Sequence, residues 1–591
     1  MKTNTRLKPI AIAVASAILL IGCMATDTDS LPHKEHDSLI NNETTLKIVE
    51  SEVKKESHDR VIAAKPAIIG STNLPESMAQ APSKNGALRK RKMDHSGVMT
   101  FTRSLQTTEL HHIRPPAESL DRESYKHLTD NPVKRVAEQP VSTFSIDVDT
   151  GAYANVRRFL NQGNLPREDA VRIEELVNYF SYDYPQPEGS QPFSVTTELS
   201  ATPWNKDTLL LHVGVQGKDI AKQNLPPSNL VFLIDVSGSM QSANKLELLK
   251  TSMKLLSKQL RPQDKVSMVV YAGASGVILP PTAGDQTAAI YQALDQLVAG
   301  GSTNGAAGIK LAYQMAEQGF VENGINRVIL ATDGDFNVGT TNFEALKDLV
   351  KEKRKSGVAL TTLGFGMGNY NDHLMEQIAD AGNGNYAYID TLNEAQKVLV
   401  DEISSTLNTI AKDVKIQIEF NPSQVAEYRL IGYENRILKR EDFNNDKIDA
   451  GEIGAGHSVT ALYEVSLVGS KGNLNDPLRY GVKSRLEKSI KNNELAFLRL
   501  RYKKPNGNKS ILIEQAINRQ HLQTELAQTS DRFRFSASVA AFGQQLRGAD
   551  YLKDYGYTDI LELARHSRGK DPFGYRGEFV KLVNLAKSLS K

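Results

Sequence analysis

The sequence predicts a doubly wound α/β domain inserted in a β-sandwich-like flanking domain, with helices at the C-terminus. Between residues 229 and about 390, apolar strands alternate with helical stretches, as in a parallel sheet covered on both faces. The segments on either side show the alternating pattern of half-buried strands. The economical interpretation is that both β-rich arms build one sandwich around the inserted domain, and two separate β domains are the alternative.

The N-terminal segment has the features of a secretory signal peptide. Basic residues precede a short apolar run over residues 9–21, which is too short to span a bilayer comfortably. The run ends in "LIGC", which resembles the bacterial lipobox, and Cys23 is the only cysteine of the chain. The resemblance implies cleavage before Cys23 and acylation of its thiol, and a plain secretory peptide with a chance cysteine is the alternative. In lipoproteins of this type, an aspartate directly after the cysteine usually retains the protein in the inner membrane. Because Met24 occupies that position, we expect the protein in the outer membrane of a Gram-negative bacterium. The sequence does not indicate whether it faces the periplasm or the cell surface.

A polar segment follows, from Met24 to about residue 138. It is rich in Ser, Lys, Glu, Asn and Pro, with few aromatic residues and no sustained apolar period. Such a composition predicts a mostly disordered tether. As a flexible coil of roughly 110 residues it would span roughly 60 Å, which gives reach away from the membrane.

The N-terminal arm is predicted from the stretch that begins at "VSTFSIDVDTG". A strand is expected to end near Asp149, and the "DVDT" motif there is expected to form a turn and a helix cap. Helices are predicted over residues 152–162 and after Pro166, where apolar residues recur at helical spacing. Two alternating segments, "FSVTTELSAT" and "DTLLLHVGVQ", then predict strands.

The α/β domain is predicted from five apolar strands and the helices between them. The strands are "NLVFLID", "KVSMVVYAG", "NRVILATDG", "VALTTLGFG" and "YAYID". The helices are predicted over residues 245–259, 287–297, 304–318, 342–355 and 371–381. Ligands of such sheets bind beyond the carboxyl ends of the strands, so this edge is the expected site.

The C-terminal arm is predicted to be β-rich and then helical. Its strand candidates are "DVKIQIEF", "HSVTALYEVSLV", "ELAFLRLRYK" and "KSILIEQAI", and its helices are expected over residues 531–553, 558–567 and 577–588. The predicted segments are the signal peptide (residues 1–22), the lipidated tether (23–138), the N-terminal arm (139–228), the α/β domain (229–405) and the C-terminal arm with its helices (406–591).

Oxygen-bearing side chains lie in three loops at the carboxyl edge of the predicted sheet. Asp235, Ser237 and Ser239 follow the first strand, Thr303 lies in "GGSTNG" before a helix, and Asp333 ends another strand in "LATDG". Two carboxylates and three hydroxyls, without His or Cys, suit Mg²⁺, Mn²⁺ or Ca²⁺ better than zinc or copper. They leave octahedral Mg²⁺ one ligand short. The alternative is that these side chains cap helices and turns.

These residues resemble the metal-ion-dependent adhesion site of the von Willebrand factor type A family. That site has the form Asp-x-Ser-x-Ser, a loop threonine, and an aspartate commonly followed by glycine, and all five positions match. Flanking segments such as "FSIDVDTGAYANVRRFL" and "YRLIGYENR" resemble bacterial lipoproteins of the YfbK-like family, so the resemblance covers nearly everything after residue 138. It implies a von Willebrand factor A-type domain over residues 229–405 that holds a divalent cation, Mg²⁺ foremost.

The sequence therefore predicts a lipid-anchored envelope protein whose metal-ion-dependent adhesion site binds an Asp or Glu of a protein partner. No general base, nucleophile or cofactor loop is visible, and "GFGMGN" has Asn369 where a dinucleotide fingerprint needs its third glycine, so we expect no enzyme. The net charge of +2 argues against binding nucleic acid through bulk electrostatics. The alternatives are a metal-dependent hydrolase of envelope material, with Asp335 as its titratable group, and a structural envelope protein whose metal only stabilises the fold.

Overall fold

The structure is a computed structural model, and it describes residues 123–334, 343–476, 478–479 and 493–590. Within these ranges no helix is both long enough and apolar enough to cross a membrane. The predictions for the signal peptide, for Cys23, for Asp335 and for most of the tether lie outside the described residues.

The N-terminal arm begins earlier than predicted, because residues 123–138 fold with it instead of belonging to the tether. Glu123 is buried and accepts a hydrogen bond from the Arg158 guanidinium at 2.7 Å, and the short strand β1 pairs with a strand of the C-terminal arm. The elements of this arm are β1 (Lys134–Arg135), β2 (Val141–Ser145), α1 (Gly151–Asn161), α2 (Ile173–Asn178), β3 (Phe193–Thr202) and β4 (Asn205–Gly217).

The α/β domain contains the strands and helices that the apolar periodicity predicts. Its strands lie in the order β10-β9-β8-β5-β6-β7, and all are parallel except β7 at the edge, which runs antiparallel to β6. Its elements are β5 (Ser228–Asp235), α3 (Leu248–Ser257), β6 (Lys265–Tyr271), β7 (Ser275–Ala283), α4 (Thr287–Asp295), α5 (Gly305–Gln318), β8 (Ile325–Thr332), α6 (Phe343–Lys353), β9 (Ala359–Phe365), α7 (Asp372–Ala381), β10 (Tyr386–Ile389), α8 (Leu392–Gln396) and α9 (Ile403–Leu407).

Strand β7 was not predicted from the sequence. It contains Pro280 and Pro281, and proline cannot donate a hydrogen bond to a sheet, which argues against a central strand. An edge strand tolerates proline, and β7 lies at the edge, where most of its residues are partly or fully exposed. By contrast, every residue of β5 and of β8 is buried, as their continuous apolar runs indicate.

The C-terminal arm completes the sheets that the N-terminal arm begins. One sheet has the order β1-β12-β14-β4-β3-β17, and in the facing sheet β2 pairs with β11 beside β13, β15 and β16. Side chains from both arms share one apolar core between the sheets, so the fold class predicted from the sequence is confirmed. The elements are β11 (Thr409–Phe420), β12 (Val425–Ile431), β13 (Gly451–Gly454), β14 (Ser458–Leu467), β15 (Glu494–Lys503), β16 (Ser510–Asn518), β17 (Leu522–Gln523), α10 (Asp531–Leu546), α11 (Tyr557–His566) and α12 (Tyr575–Leu589).

A helical layer joins the two arms outside the sandwich. Helices α1 and α2 of the N-terminal arm pack with α10, α11 and α12 around one apolar core that includes Tyr153, Phe180 and Phe579. Two helices are shorter than predicted. Helix α2 spans six residues after a 3₁₀ turn, and α10 ends at Leu546 because the chain turns through positive φ values at Gly548 and Ala549.

Buried ion pairs attach the α/β domain to this frame. Arg172 is 2% exposed and pairs with Asp372 of α7, and Arg436 pairs with Asp380 of α7 and also with Asp147 and Asp149 of the N-terminal arm. These two aspartates belong to the "DVDT" motif. The predicted turn is present, since the Asp149 amide donates to Asp147 Oδ1 at 3.0 Å. The predicted helix cap is wrong, because Thr150 makes no side-chain capping bond and the carboxylates bind Arg436 instead.

Candidate functional site

Two buried carboxylates lie at the carboxyl edge of the central sheet. Strand β5 ends at Asp235, and β8 ends one residue before Asp333. The two strands are parallel neighbours, with Ile234 opposite Ala331, so their final residues lie side by side. Both aspartates have no exposed surface. The fold therefore places two of the five predicted ligands together, as the motif spacing indicated.

Hydrogen bonds hold the Asp235 carboxylate in place. Its Oδ1 accepts from the Ser237 amide at 2.8 Å, and its Oδ2 accepts from the Thr332 hydroxyl at 2.7 Å and the Tyr271 hydroxyl at 3.2 Å. Burial raises the pKa of Asp235, and the charge of nearby Asp333 adds to this, while the bonds from Ser237 and Thr332 act against it. Two carboxylates that repel each other in a buried place favour a cation beside them.

Ser237 and Ser239 lie in a tight turn after β5. Their hydroxyl oxygens are 3.0 Å apart, so the two side chains point to the same side of the loop. Ser237 is buried and Ser239 is partly buried. A 3₁₀ turn from Gly238 to Gln241 follows directly and sets this spacing. Alternation along the motif therefore brings the two predicted hydroxyl ligands together.

The loop that carries Thr303 is attached to this turn through the backbone. The Gly238 amide donates to the Gly301 carbonyl at 3.0 Å, and the Gly300 amide donates to the Val236 carbonyl at 2.8 Å. The Thr303 side chain is partly buried, and within the described part of the chain its hydroxyl has no protein hydrogen-bond partner. Thr303 is therefore on a loop attached to the turn that carries Ser237 and Ser239, with an oxygen available to a ligand.

Lys245 is a charged residue of this site that the sequence motif does not predict, just as it does not predict the neutral Thr332, Tyr271 and Asn369. Its ammonium donates to Asp333 Oδ2 at 2.8 Å and to Asn369 Oδ1 at 3.0 Å, and the residue is 6% exposed. Its aliphatic stem lies against Gly366, where a Cβ atom would collide with it. Gly366 and Asn369 both belong to "GFGMGN", which was considered only as a nucleotide-binding motif. The glycine at a strand end was a signal for close approach of another chain segment.

The residues present fit a hard divalent cation. The described part of the chain holds no cluster of three or more His, Cys, Asp or Glu side chains suited to a metal. The candidate site instead combines the carboxylates of Asp235 and Asp333 with the hydroxyls of Ser237, Ser239 and Thr303. Such oxygen ligands are the ones that Mg²⁺ and Ca²⁺ prefer. With Lys245 ionised, the local charge is about −1, which attracts a cation.

Three regions of the chain match known families. The von Willebrand factor type A domain matches residues 229–402, the family described as von Willebrand factor matches residues 119–212, and the family described as uncharacterized protein YfbK, C-terminal, matches residues 405–589. Type A domains generally mediate protein–protein interaction and commonly bind a divalent cation.

The similar proteins include one that matches most of the chain. Uncharacterized protein YfbK of Escherichia coli K12 is 49% identical over 520 residues, which cover 87% of this chain and 88% of that protein. Uncharacterized protein sll0103 of Synechocystis is 29% identical over 185 residues, or 31% of this chain and 43% of that protein. A solved von Willebrand factor type A protein from Catenulispora acidiphila covers 68% of this chain and 91% of its own, at 14% identity and a TM-score of 0.39. The chain belongs to the YfbK family of von Willebrand factor type A proteins.

Proposed function

We propose that this protein is an envelope protein that binds an acidic protein partner through a divalent cation at the carboxyl edge of its type A domain. Mg²⁺ is the first candidate, with Mn²⁺ or Ca²⁺ as alternatives. The side chains that would hold it are Asp235, Ser237, Ser239, Thr303 and Asp333. The observation that carries the proposal is the juxtaposition of Asp235 and Asp333, both fully buried, next to two hydroxyls 3.0 Å apart.

The charges of the site support an acidic side chain as the binding partner. Two carboxylates and the Lys245 ammonium sum to about −1, and a divalent cation would bring this to about +1. The hydroxyl ligands are neutral, so they leave that charge uncompensated. A unit charge 4 Å away is worth ~4 kcal/mol at the effective dielectric constant near a protein surface. A partner's Asp or Glu would therefore supply both the missing ligand and the missing charge.

The contacts around the carboxylates favour a binding role over catalysis. Three donors hold the Asp235 carboxylate, and the Lys245 ammonium is engaged with Asp333 and Asn369. A general base has to accept a proton from a reacting group, and these groups are committed to protein contacts. We therefore propose that the site positions a ligand and does not transform one.

The membrane anchor is the second part of the proposal. The lipobox-like "LIGC" motif supports acylation of Cys23, and Met24 in the next position supports the outer membrane of a Gram-negative bacterium. More than one acyl chain gives stable anchoring, and the polar segment after Cys23 would let the folded part reach its partner.

The test is capture of a partner from envelope extracts by the immobilised protein. Capture by wild type in Mg²⁺ should be lost on addition of a chelator and should be absent in Asp235→Ala. Asp295→Ala is the matched control, because Asp295 is exposed on α4 and, among the described residues, forms its ion pair with Lys254. An excess of a glutamate-rich peptide should compete.

Two results would contradict the proposal. Capture that is unchanged by the chelator and by Asp235→Ala would separate partner binding from the cation. Metal-dependent turnover of envelope fragments by the purified protein would favour a hydrolase instead.

A further inference from the structure

A cleft lies at the end of the type A domain opposite the candidate metal site, where the domain meets the sandwich. Its volume is about 550 Å³, within the range of ligand sites. The starts of β8 and β9 form one wall, and β11 and β13 contribute to the other. Arg327 lines it near the start of β8, while Asp333 follows the end of that strand. At ~3.3 Å per residue the two are ~20 Å apart, so the cleft is separate from the candidate metal site.

Arg327 is a buried cation that contacts only neutral acceptors. It is 3% exposed, and its guanidinium donates to the Thr361 hydroxyl at 2.5 Å, the Asn385 side chain at 3.4 Å and the Leu407 carbonyl at 3.2 Å. Its Nε is buried and has no partner, and no carboxylate of the described residues lies within ion-pairing distance. Burial lowers the pKa of Arg327 to about 10, and the charge of Glu452 only partly opposes this effect. A buried charge without a counter-ion is costly, so this guanidinium favours an anion beside it.

A second unpaired cation lines the same cleft. Lys412 of β11 is partly buried, and among the described residues no carboxylate lies within 4.0 Å of its ammonium. Arg354 also lines the cleft but is already paired with Asp449 at 2.6 Å. Two cations in one cleft repel each other until an anion lies between them. The positive charge that needs compensation therefore comes from Arg327 and Lys412.

Two carboxyl groups of the described residues line the cleft, the exposed Glu322 and Glu452 of β13, and neither lies within 4.0 Å of the charged group of Arg327 or Lys412. Glu452 is partly buried, and desolvation by the surrounding protein, together with the negative charges of Asp449 and Asp413, raises its pKa well above its usual range. A raised pKa disfavours the charged form of this carboxyl group, which weakens Glu452 as a counter-ion.

We infer that this cleft binds a small oxyanion, in the form of a carboxylate or phosphate group, between Arg327 and Lys412. A guanidinium presents its donors in a planar fork that matches the oxygens of such groups, and the lysine adds a point charge. The oxyanion lies where the type A domain meets the sandwich, so it contacts both parts of the folded chain.

Titration calorimetry on the full chain tests this inference. Sodium phosphate and sodium acetate are titrated separately at low millimolar concentration, with sodium chloride added to hold ionic strength constant. The variants are Arg327→Gln and Lys412→Gln, and Lys471→Gln is the matched control because Lys471 is exposed and does not line the cleft. Tighter binding of phosphate identifies a phosphate group as the natural ligand, and tighter binding of acetate identifies a carboxylate.

We expect saturable binding of one of these anions at one site in wild type and in Lys471→Gln. Arg327→Gln should weaken it at least tenfold, and Lys412→Gln should weaken it to a smaller extent. Lys412 is only partly buried, so Lys412→Gln still tests the inference if Arg327→Gln does not fold. Absence of saturable heat with both anions overturns the inference, as do equal dissociation constants in wild type and Lys412→Gln.

Discussion

Lys245→Met tests the ammonium group of the candidate metal site, because the replacement removes that group and keeps the shape of the rest of the side chain. Methionine keeps an aliphatic stem against Gly366 but removes the donor to Asp333 Oδ2 at 2.8 Å and to Asn369 at 3.0 Å. Without the Lys245 ammonium, the buried Asp333 carboxylate loses the positive charge of this ion pair. Breaking a buried ion pair in this way costs ~3–5 kcal/mol, so the metal-free variant should be less stable than wild type by about that amount.

The same replacement should strengthen metal binding. A cation that takes an oxygen of Asp333 has to displace or share the bond from Lys245, and a hydrogen bond between charged groups is worth ~1.5–3 kcal/mol. Since ~1.4 kcal/mol corresponds to a factor of ten, the affinity for Mg²⁺ should rise ~10- to 100-fold. Binding to the folded state alone then recovers part of the lost stability, ~2.7 kcal/mol when Mg²⁺ is at 100 times its Kd.

Urea unfolding with and without Mg²⁺, together with titration calorimetry, measures both effects. Lys250→Met is the matched control, because Lys250 is a nearby lysine that pairs with the exposed Glu247 and does not contact either buried aspartate. It should leave the affinity for Mg²⁺ unchanged. The reasoning is refuted if Lys245→Met binds Mg²⁺ no more tightly than wild type while its metal-free stability is also unchanged.

Three further predictions concern the anchor, the sandwich and the dependence of stability on pH. Cys23→Ala should release the protein from membranes, and a variant that still sediments with outer membranes after a high-salt wash would contradict the anchor. Residues 411–505 alone should give no cooperative melt, because β14 lacks its partner β4 and β11 lacks β2; a cooperative melt would contradict a shared sandwich. Burial lowers the pKa of His212 to about 3, whereas an unfolded histidine titrates near ~6.5. The unfolded state therefore gains a proton first as pH falls, so the free energy of unfolding should decrease from pH ~6.5 towards ~3, and less steeply in His212→Gln. The contrary result would be a free energy of unfolding, measured with urea, that decreases equally steeply with falling pH in the two proteins.

The fold was predictable because its strongest signals are local. Strands β5 and β8 are continuous apolar runs, and such runs indicate a sheet buried on both faces. Strand β7 was missed because its two prolines are unfavourable in most strands, and only its position at the sheet edge makes them acceptable. The ends of α2 and α10 depend on backbone turns that apolar spacing does not determine.

The candidate site was predictable only as far as its motif extends. Asp235, Ser237 and Ser239 are close together in the sequence, so the sequence itself indicates that one loop carries all three. Lys245 and Asn369 are 124 residues apart, and their contact exists only because separate loops meet at the sheet edge. The pairing of Arg436 with the "DVDT" aspartates is hidden for the same reason, since it joins two distant parts of the chain.

Titration of Mg²⁺ into wild type and Asp235→Ala by calorimetry tests the metal site most directly. Asp235 carries one of the two buried carboxylates, and alanine removes its charge and the acceptor for Ser237, Thr332 and Tyr271. The account predicts saturable binding to one site in wild type, accompanied by a higher melting temperature, and neither effect in a folded Asp235→Ala protein. Equal heats from both proteins would contradict it, and these oxygens would then act only as partners for turns and helix ends.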